Sequence, residues 1–224
     1  TERPDTHLGS RSRPGEWARK WFAGDGLEDK LACALIQARA LPFKELLESF
    51  EFFTHVRRRV RAPVVADLCC GHGLTGMLYG VFHRDVEEVV LVDRVRPESV
   101  EKTLSALGSI APWLLPKVRY VEAALQDVPL PRGTAVLGVH ACGAATDAVI
   151  DVALSVGGPV GLLPCCHAKA HAPGPRSLAR SLGAGMSTDV HRTYRLEAAG
   201  YETRWSELPP DITPMNRVIE AWLR

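Results

Sequence analysis

No stretch of this 224-residue chain stays apolar over the roughly 20 residues that a membrane-spanning helix requires. An excess of one charge is missing too. The chain has 27 Lys and Arg against 26 Asp and Glu, and a formal net charge of +1 supplies no global field that would gather nucleic acid. No Cys-x-x-Cys spacing occurs, which removes the commonest zinc signature, and no internal repeat is present. The opening residues, Thr1-Glu2-Arg3-Pro4-Asp5-Thr6-His7, carry neither Met nor the apolar run of a secretory leader, so a trimmed or processed chain is expected. The 6 cysteines include the adjacent pairs Cys69-Cys70 and Cys165-Cys166. That is not a disulfide framework, and a chain of this size needs no staples, so a reducing, cytoplasmic setting is expected. What the chain does have is a 46% apolar content, enough for one domain with a sizeable core, alone or with an appendage.

Residues 1–15 are polar and rich in Arg, Pro and Gly, the composition of a mobile arm. From 16 to 61 the pattern is helical. Leu31, Ala34, Leu35, Ala38 and Leu41 recur at three- and four-residue steps. Pro42 then suits the first turn of a second helix with Phe43, Leu46, Leu47, Phe50 and Phe53 on one face. That helix runs into a basic tip, Arg57-Arg58-Arg59-Val60-Arg61. The tip is read as a solvated helix end, its alternative being a phosphate-contacting patch beside a site. After Ala62 short apolar runs alternate with helical stretches, as in a largely parallel sheet. The expected strands are 64–68, 88–92, 118–122, 135–139 and 160–164. The expected helices are 73–82, 97–109, 144–154 and 188–199, and two tail strands, 202–207 and 217–223, follow. Five strands with crossovers and a terminal hairpin are therefore expected.

The first expected strand ends Asp67-Leu68-Cys69-Cys70-Gly71-His72-Gly73. Glycines after a strand and before a helix let a ligand approach the backbone and the free N–H groups of the helix start. About twenty residues on, the second strand ends at Asp93-Arg94, and an acidic side chain there can accept both hydroxyl protons of a ribose. A dinucleotide enzyme fits the same pair of features, but the terminal hairpin and Cys69 in place of the first glycine favour S-adenosylmethionine. The fourth strand ends Val139-His140-Ala141-Cys142-Gly143 and the fifth Pro164-Cys165-Cys166-His167. Carboxyl ends of neighbouring parallel strands lie side by side, where ligands bind. Cys142, Cys165, Cys166 and His167 are acceptable zinc ligands, but adjacent cysteines in an extended segment point opposite ways, so no metal is expected.

The motifs His140-x-Cys142-Gly143-x-x-Thr146-Asp147 and Cys165-Cys166-His167 resemble the methyltransferase family that includes the tRNA acceptor-stem 2′-O-methyltransferases. The later Asp189-x-x-Arg192, Gly200-Tyr201 and Thr213-Pro214-x-Asn216-Arg217 are similar to a branch holding a methyltransferase-like protein with a glutathione-transferase C-terminal-like domain. The resemblance covers Ala62 to Leu223. The chain departs from the tRNA enzymes at Val139, where they carry Lys, at Ala124, where they carry an acid, and at His72, where they have Gly-Lys-Gly.

The resemblance implies an α/β fold of the Rossmann-like class I methyltransferase type. It has a mostly parallel seven-stranded sheet with a terminal β-hairpin (62–224) behind an N-terminal helical cap (16–61). S-adenosylmethionine is the implied cofactor, held by Asp67, Cys69, Gly71, Gly73, Asp93, Arg94, Leu125 and His140. His140 is the candidate base, with Cys142 beside it and Cys165 and His167 opposite. The acceptor is left open, with RNA, a small molecule under a helical lid, or no turnover at all in a cofactor-binding interaction module as the three readings. The state of assembly is not legible.

Overall fold

The computed structural model describes residues 13–165 and 174–224. The apolar run Val64–Leu68 (β1) is an interior strand of a seven-stranded sheet. To one side lie Glu88–Asp93 (β2) and Val118–Glu122 (β3). To the other lie Ala135–Val139 (β4), Val160–Leu163 (β5), Arg217–Leu223 (β7) and, at the edge, Tyr201–Glu207 (β6), giving the order β3-β2-β1-β4-β5-β7-β6. The first five strands are parallel, while β7 runs antiparallel to β5 and to β6. After β1 the chain winds outward through β2 and β3, then returns to place β4 on the opposite side of β1. That reversal opens a crevice between the carboxyl ends of β1 and β4, where open α/β sheets bind ligands.

Strands β1, β2, β4 and β5 are buried on both faces, and side chains alternate between two layers. Val65, Val89, Leu91, Ala135 and Leu137 join one core, while Ala66, Leu68, Val90, Val92 and Val136 join the other. Leu27–Gln37 (α1), Phe43–Val56 (α2), Leu74–Phe82 (α3) and Glu98–Ile110 (α4) contribute to the first core. Ala144–Val156 (α5) and Ala184–Ala198 (α7) contribute to the second. Helix α3 sits unusually close to the sheet. A Cβ on Gly76 would lie 2.9 Å from both Asp67 Cβ and Leu91 Cδ2, so only glycine lets the helix backbone come this near. Helix α2 is seated in the same way, with Phe52 Cζ 3.2 Å from where a Cβ of Gly161 in β5 would be.

The seven-stranded, terminally paired sheet with a helical N-terminus is as the sequence implied. The differences are local. Residues 16–61 are not continuous helix, because Glu16–Trp21 forms a 3-10 turn and Gly24 and Gly26 break the chain before α1. The fifth strand stops at Leu163, one residue before Pro164, which has no N–H to continue a ladder. The last helix starts at Ala184 rather than Thr188, and a short helix, Arg176–Leu182 (α6), precedes it. The first 12 residues of the expected arm lie outside the described residues.

Candidate functional site

The turn after β1 holds an unusual backbone. Cys69, Gly71 and Gly73 all have positive φ, at 59°, 51° and 71°. Glycine takes such angles freely; a cysteine there costs about 1–3 kcal/mol, a strain typical of ligand sites. The space above Gly73 is also closed, since a Cβ there would lie 2.7 Å from Leu91 Cδ1. Asp67, at the foot of the turn, is 1% exposed. Its Oδ2 accepts the Gly76 N–H at 2.9 Å, whereas Oδ1 is buried with no hydrogen-bond partner among the described residues. Burial pushes its carboxyl up to about 7; the Gly76 N–H opposes this and the charge of Asp93 adds to it.

Asp93 closes β2 and ties the turn to it, with Oδ2 accepting the Gly71 N–H at 2.9 Å and Oδ1 the Arg94 N–H at 2.7 Å. Each oxygen keeps a second lone pair. Beside it opens a cavity of ≈ 400 Å³ lined by Cys69, Asp93, Arg94, Leu125, Gln126 and small apolar residues including Ala145. That size and mixed lining suit a nucleoside. Burial, together with Asp93 and Asp67, pushes the Cys69 thiol up to about 11.

The other half of the site is built from the end of β4 and from α2. His140, with φ 58°, directs its Nε2 to Glu48 Oε2 at 3.0 Å. Glu48 lies on α2 at 1% exposure, and its Oε1 accepts from Lys44 Nζ at 2.8 Å. Burial alone would raise the Glu48 carboxyl. The hydrogen bonds and charges of His140 and Lys44 outweigh burial and hold it below its ordinary value. A carboxylate can only accept, so the His140 ring nitrogen that faces Glu48, Nε2, carries a proton, and Nδ1 is the nitrogen turned away from the carboxylate. One turn earlier on α2, Glu45 Oε2 is 3.3 Å from His72 Nε2, and His72 Nδ1 accepts the Leu74 N–H at 3.1 Å. The His72 hydrogen bond, with its charge, holds the Glu45 carboxyl low against burial. Two glutamate–histidine pairs thus join one helix to both sides of the crevice.

Beyond His140, the Sγ atoms of Cys142 and Cys165 lie 3.2 Å apart. The loop carrying Cys142 is anchored from behind. Arg192, 1% exposed, donates to the Gly143 carbonyl at 3.0 Å and to Asp147 Oδ2 at 2.9 Å, and pairs with Asp189 at 3.2 Å. Arg217 binds the other oxygen of Asp189. The late motif Asp189-x-x-Arg192 is therefore a buried brace for the strand-end loop.

Of the residues singled out from sequence, Asp67, Cys69, Gly71, Gly73, Asp93, Arg94 and Leu125 gather around the crevice, with His140, Cys142 and Cys165 at the neighbouring strand ends. Cys166 and His167 lie outside the described residues, and with them part of the zinc ligand set considered above. The basic tip Arg57–Arg61 does not lie beside the crevice. Helix α2 runs away from the crevice, so its basic end lies toward the amino ends of the strands. There Arg57 covers Phe53, Arg59 covers Trp222 and Arg61 faces Asp85 at 3.9 Å. Lys44, Glu45, Glu48 and His72 were missed. A signal existed: Glu45 and Glu48 continue the stripe of Phe52 and Val56 at helical spacing, and a carboxylate on an apolar stripe needs a buried partner.

The topology and the strand-end crevice define a Rossmann-like fold of the class I methyltransferase type. A family model described as a methyltransferase domain matches residues 43–173, more than half of the chain, and the chain belongs to that family. The match starts at the first residue of α2 and so includes both glutamates. No curated protein sequence matches the chain. Among solved structures, an S-adenosylmethionine-dependent methyltransferase from Aquifex aeolicus is similar at 14% identity and TM-score 0.51, over 78% of this chain and 90% of that one. A Pyrococcus horikoshii protein proposed to be a transferase is similar at 14% identity and TM-score 0.50, over 82% of this chain and 65% of its own. A Nostoc punctiforme protein proposed to be an O-methyltransferase reaches 18% identity and TM-score 0.48, over 92% of this chain and 66% of its own. The chain thus spans slightly under two thirds of the length of the last two. Among the described residues no helix is long and apolar enough to cross a membrane.

Proposed function

We propose that this protein is an S-adenosylmethionine-dependent methyltransferase whose acceptor loses a proton to His140. The observation that carries this reading is the Glu48–His140 pair beside the crevice of Asp93 and Leu125. The residues present fit the cofactor. The orphaned Asp67 Oδ1 offers an acceptor below the glycine turn, the remaining lone pairs of Asp93 suit ribose hydroxyls, and Leu125 and the alanines suit an adenine face. When bound, the cofactor supplies an electrophilic methyl group on a sulfonium.

The protein's part is positioning, exclusion of water and one proton. Glu48 holds the imidazole in the tautomer that leaves Nδ1 basic, as carboxylates do for histidine bases generally. His140 and then Lys44 keep Glu48 ionised against its burial. The proton leaves the acceptor for His140 Nδ1, and the charge that develops on the ring is stabilised by the buried carboxylate at 3.0 Å. Cys142 and Cys165 wall the acceptor side. RNA is the acceptor class supported by the resemblance of the His140-to-Asp147 motif to the tRNA enzymes; a small-molecule acceptor is the alternative outcome of the test.

The test offers total RNA and a small-molecule extract, in separate reactions, to the protein with S-adenosylmethionine carrying a labelled methyl group. Label entering RNA, and lost in His140→Ala, is the expected result. Label entering only the small-molecule fraction would move the acceptor class. Calorimetric binding of S-adenosylmethionine with no label in either fraction would favour the interaction-module reading. Binding of a nicotinamide dinucleotide in its place would overturn the proposal.

A further inference from the structure

A methyl transfer assisted by His140 needs no pair of sulfurs in contact, yet the Cys142 and Cys165 thiols are 3.2 Å apart. A disulfide is ~2.05 Å long, so each sulfur has only ~0.6 Å to travel. The backbone already brings the two segments together. Strands β4 and β5 are parallel neighbours, paired as far as Val139 and Leu163, and the His140 N–H continues the ladder to the Leu163 carbonyl at 3.2 Å. Cys142 is exposed and Cys165 half-buried, so a small oxidant reaches the first and the second is placed to resolve.

The other described cysteines are less suited. Burial keeps Cys69 and Cys70 in the thiol form, and Cys33 lies on α1 with its Sγ donating to the Phe22 carbonyl at 3.3 Å.

We infer that Cys142 and Cys165 are a reversible dithiol–disulfide couple that gates methyl transfer when oxidised. The oxidant is a low-molecular-weight disulfide such as oxidised glutathione. The Cys142 thiolate attacks one of its sulfurs and one small thiolate leaves. The Cys165 thiolate then attacks the Cys142 sulfur of the mixed disulfide and expels the second. The protein gives up two protons and two electrons, and the small disulfide becomes two thiols.

The bridge ties the segment after His140 to the end of β5. On its other side the same segment is fixed by the bond from Arg192 to the Gly143 carbonyl. The bridge therefore restrains the loop two residues from His140. The cofactor crevice, lined by Cys69, Asp93 and Leu125, stays open. The gating rests on the methyltransferase reading above; the thiol chemistry does not.

The experiment incubates the whole chain with oxidised glutathione and reads intact mass, non-reducing peptide maps, calorimetric affinity for S-adenosylhomocysteine, and methyl transfer to the labelled acceptor fraction. The expected result is a monomer lighter by two hydrogens with one Cys142–Cys165 cross-linked peptide. Cofactor affinity is unchanged, and transfer is lost and then restored by dithiothreitol. Cys142→Ser and Cys165→Ser each prevent the mass loss while keeping the wild-type melting temperature. A bridge that persists in Cys165→Ser, or a glutathione adduct on Cys142 that never closes, overturns the couple. Full transfer by the bridged protein overturns the gate. The mass readout decides the couple even if no fraction is ever labelled, so its failure is distinguishable from that of the methyltransferase reading.

Discussion

Replacing Glu48 by Gln tests the core of the mechanism, because it removes one charge with almost no change of shape. Glu48 makes two charge-assisted bonds, to His140 at 3.0 Å and to Lys44 at 2.8 Å. Such bonds contribute ~1.5–3 kcal/mol each, but taking the carboxylate out of water costs several kcal/mol. Both partners are partly exposed, His140 at 29% and Lys44 at 26% of the side chain, and can regain water. The net stability change is therefore within ~1 kcal/mol, or ~2–4 °C in Tm for a chain of this size. Turnover has no such compensation. A glutamine can face His140 with either its carbonyl or its amide, so the ring loses its fixed tautomer. General-base assistance is worth ~10²–10⁴-fold, and kcat falls within that range while cofactor affinity stays level. Labelled-methyl transfer, a thermal melt and a cofactor titration on one preparation read all three. The pair acts as a unit, so Glu48→Gln added to His140→Ala costs nothing further in transfer. Independent multiplication of the two losses, or wild-type transfer by Glu48→Gln, would refute the assignment.

Asp93→Ala removes the acceptor of the Gly71 and Arg94 N–H groups as well as the candidate ribose partner. Calorimetry should show S-adenosylmethionine and S-adenosylhomocysteine both weakened by ~10–100-fold, from one or two lost charged hydrogen bonds; weakening of one alone would count against a ribose role. Arg192→Ala takes from Asp189, 0% exposed, the buried one of its two arginine partners, Arg217 being the other, and also removes the bonds to the Gly143 carbonyl and Asp147. Removing one partner of a buried pair costs ~3–5 kcal/mol, and at ~2–4 °C per kcal/mol the melting temperature drops by ~6–20 °C. Glu220 is 0% exposed with neither oxygen hydrogen-bonded among the described residues, and burial raises its carboxyl despite Arg204 and Arg59. The native state therefore holds this proton to higher pH than the unfolded chain does, and stability is lost as pH rises through the folded value. Glu220→Gln should match wild type in a melt below the ordinary carboxylate range and exceed it by a few degrees at neutral pH; equal melts at both would contradict the burial argument.

Much of this fold could be read from local pattern. β1, β3, β4 and β7 were expected at the bounds found; for β1 and β4 the reason is that strands buried on both faces appear as short apolar runs between turn residues. The glycine turn and Asp93 were legible because the crevice of a parallel sheet forms where strands end, and a strand end is a local feature. The same logic singled out His140, Cys142 and Cys165.

What the sequence by itself determined is the layered sheet, the place of its crevice and the residue types at each strand end, since all three follow from periodicity and punctuation along the chain. Only the tertiary structure decided how those residues are paired. Glu48 and His140 are 92 positions apart, and Arg192 reaches 49 positions to Gly143. Nothing local marks such partners, because they meet only when a helix is laid across the sheet. The direction of α2 was hidden for the same reason. An amphipathic stripe fixes which face is buried but not which end points where, so the basic tip could be assigned to either end of the strands until packing against Gly161 placed Val56 and Val60 away from the crevice.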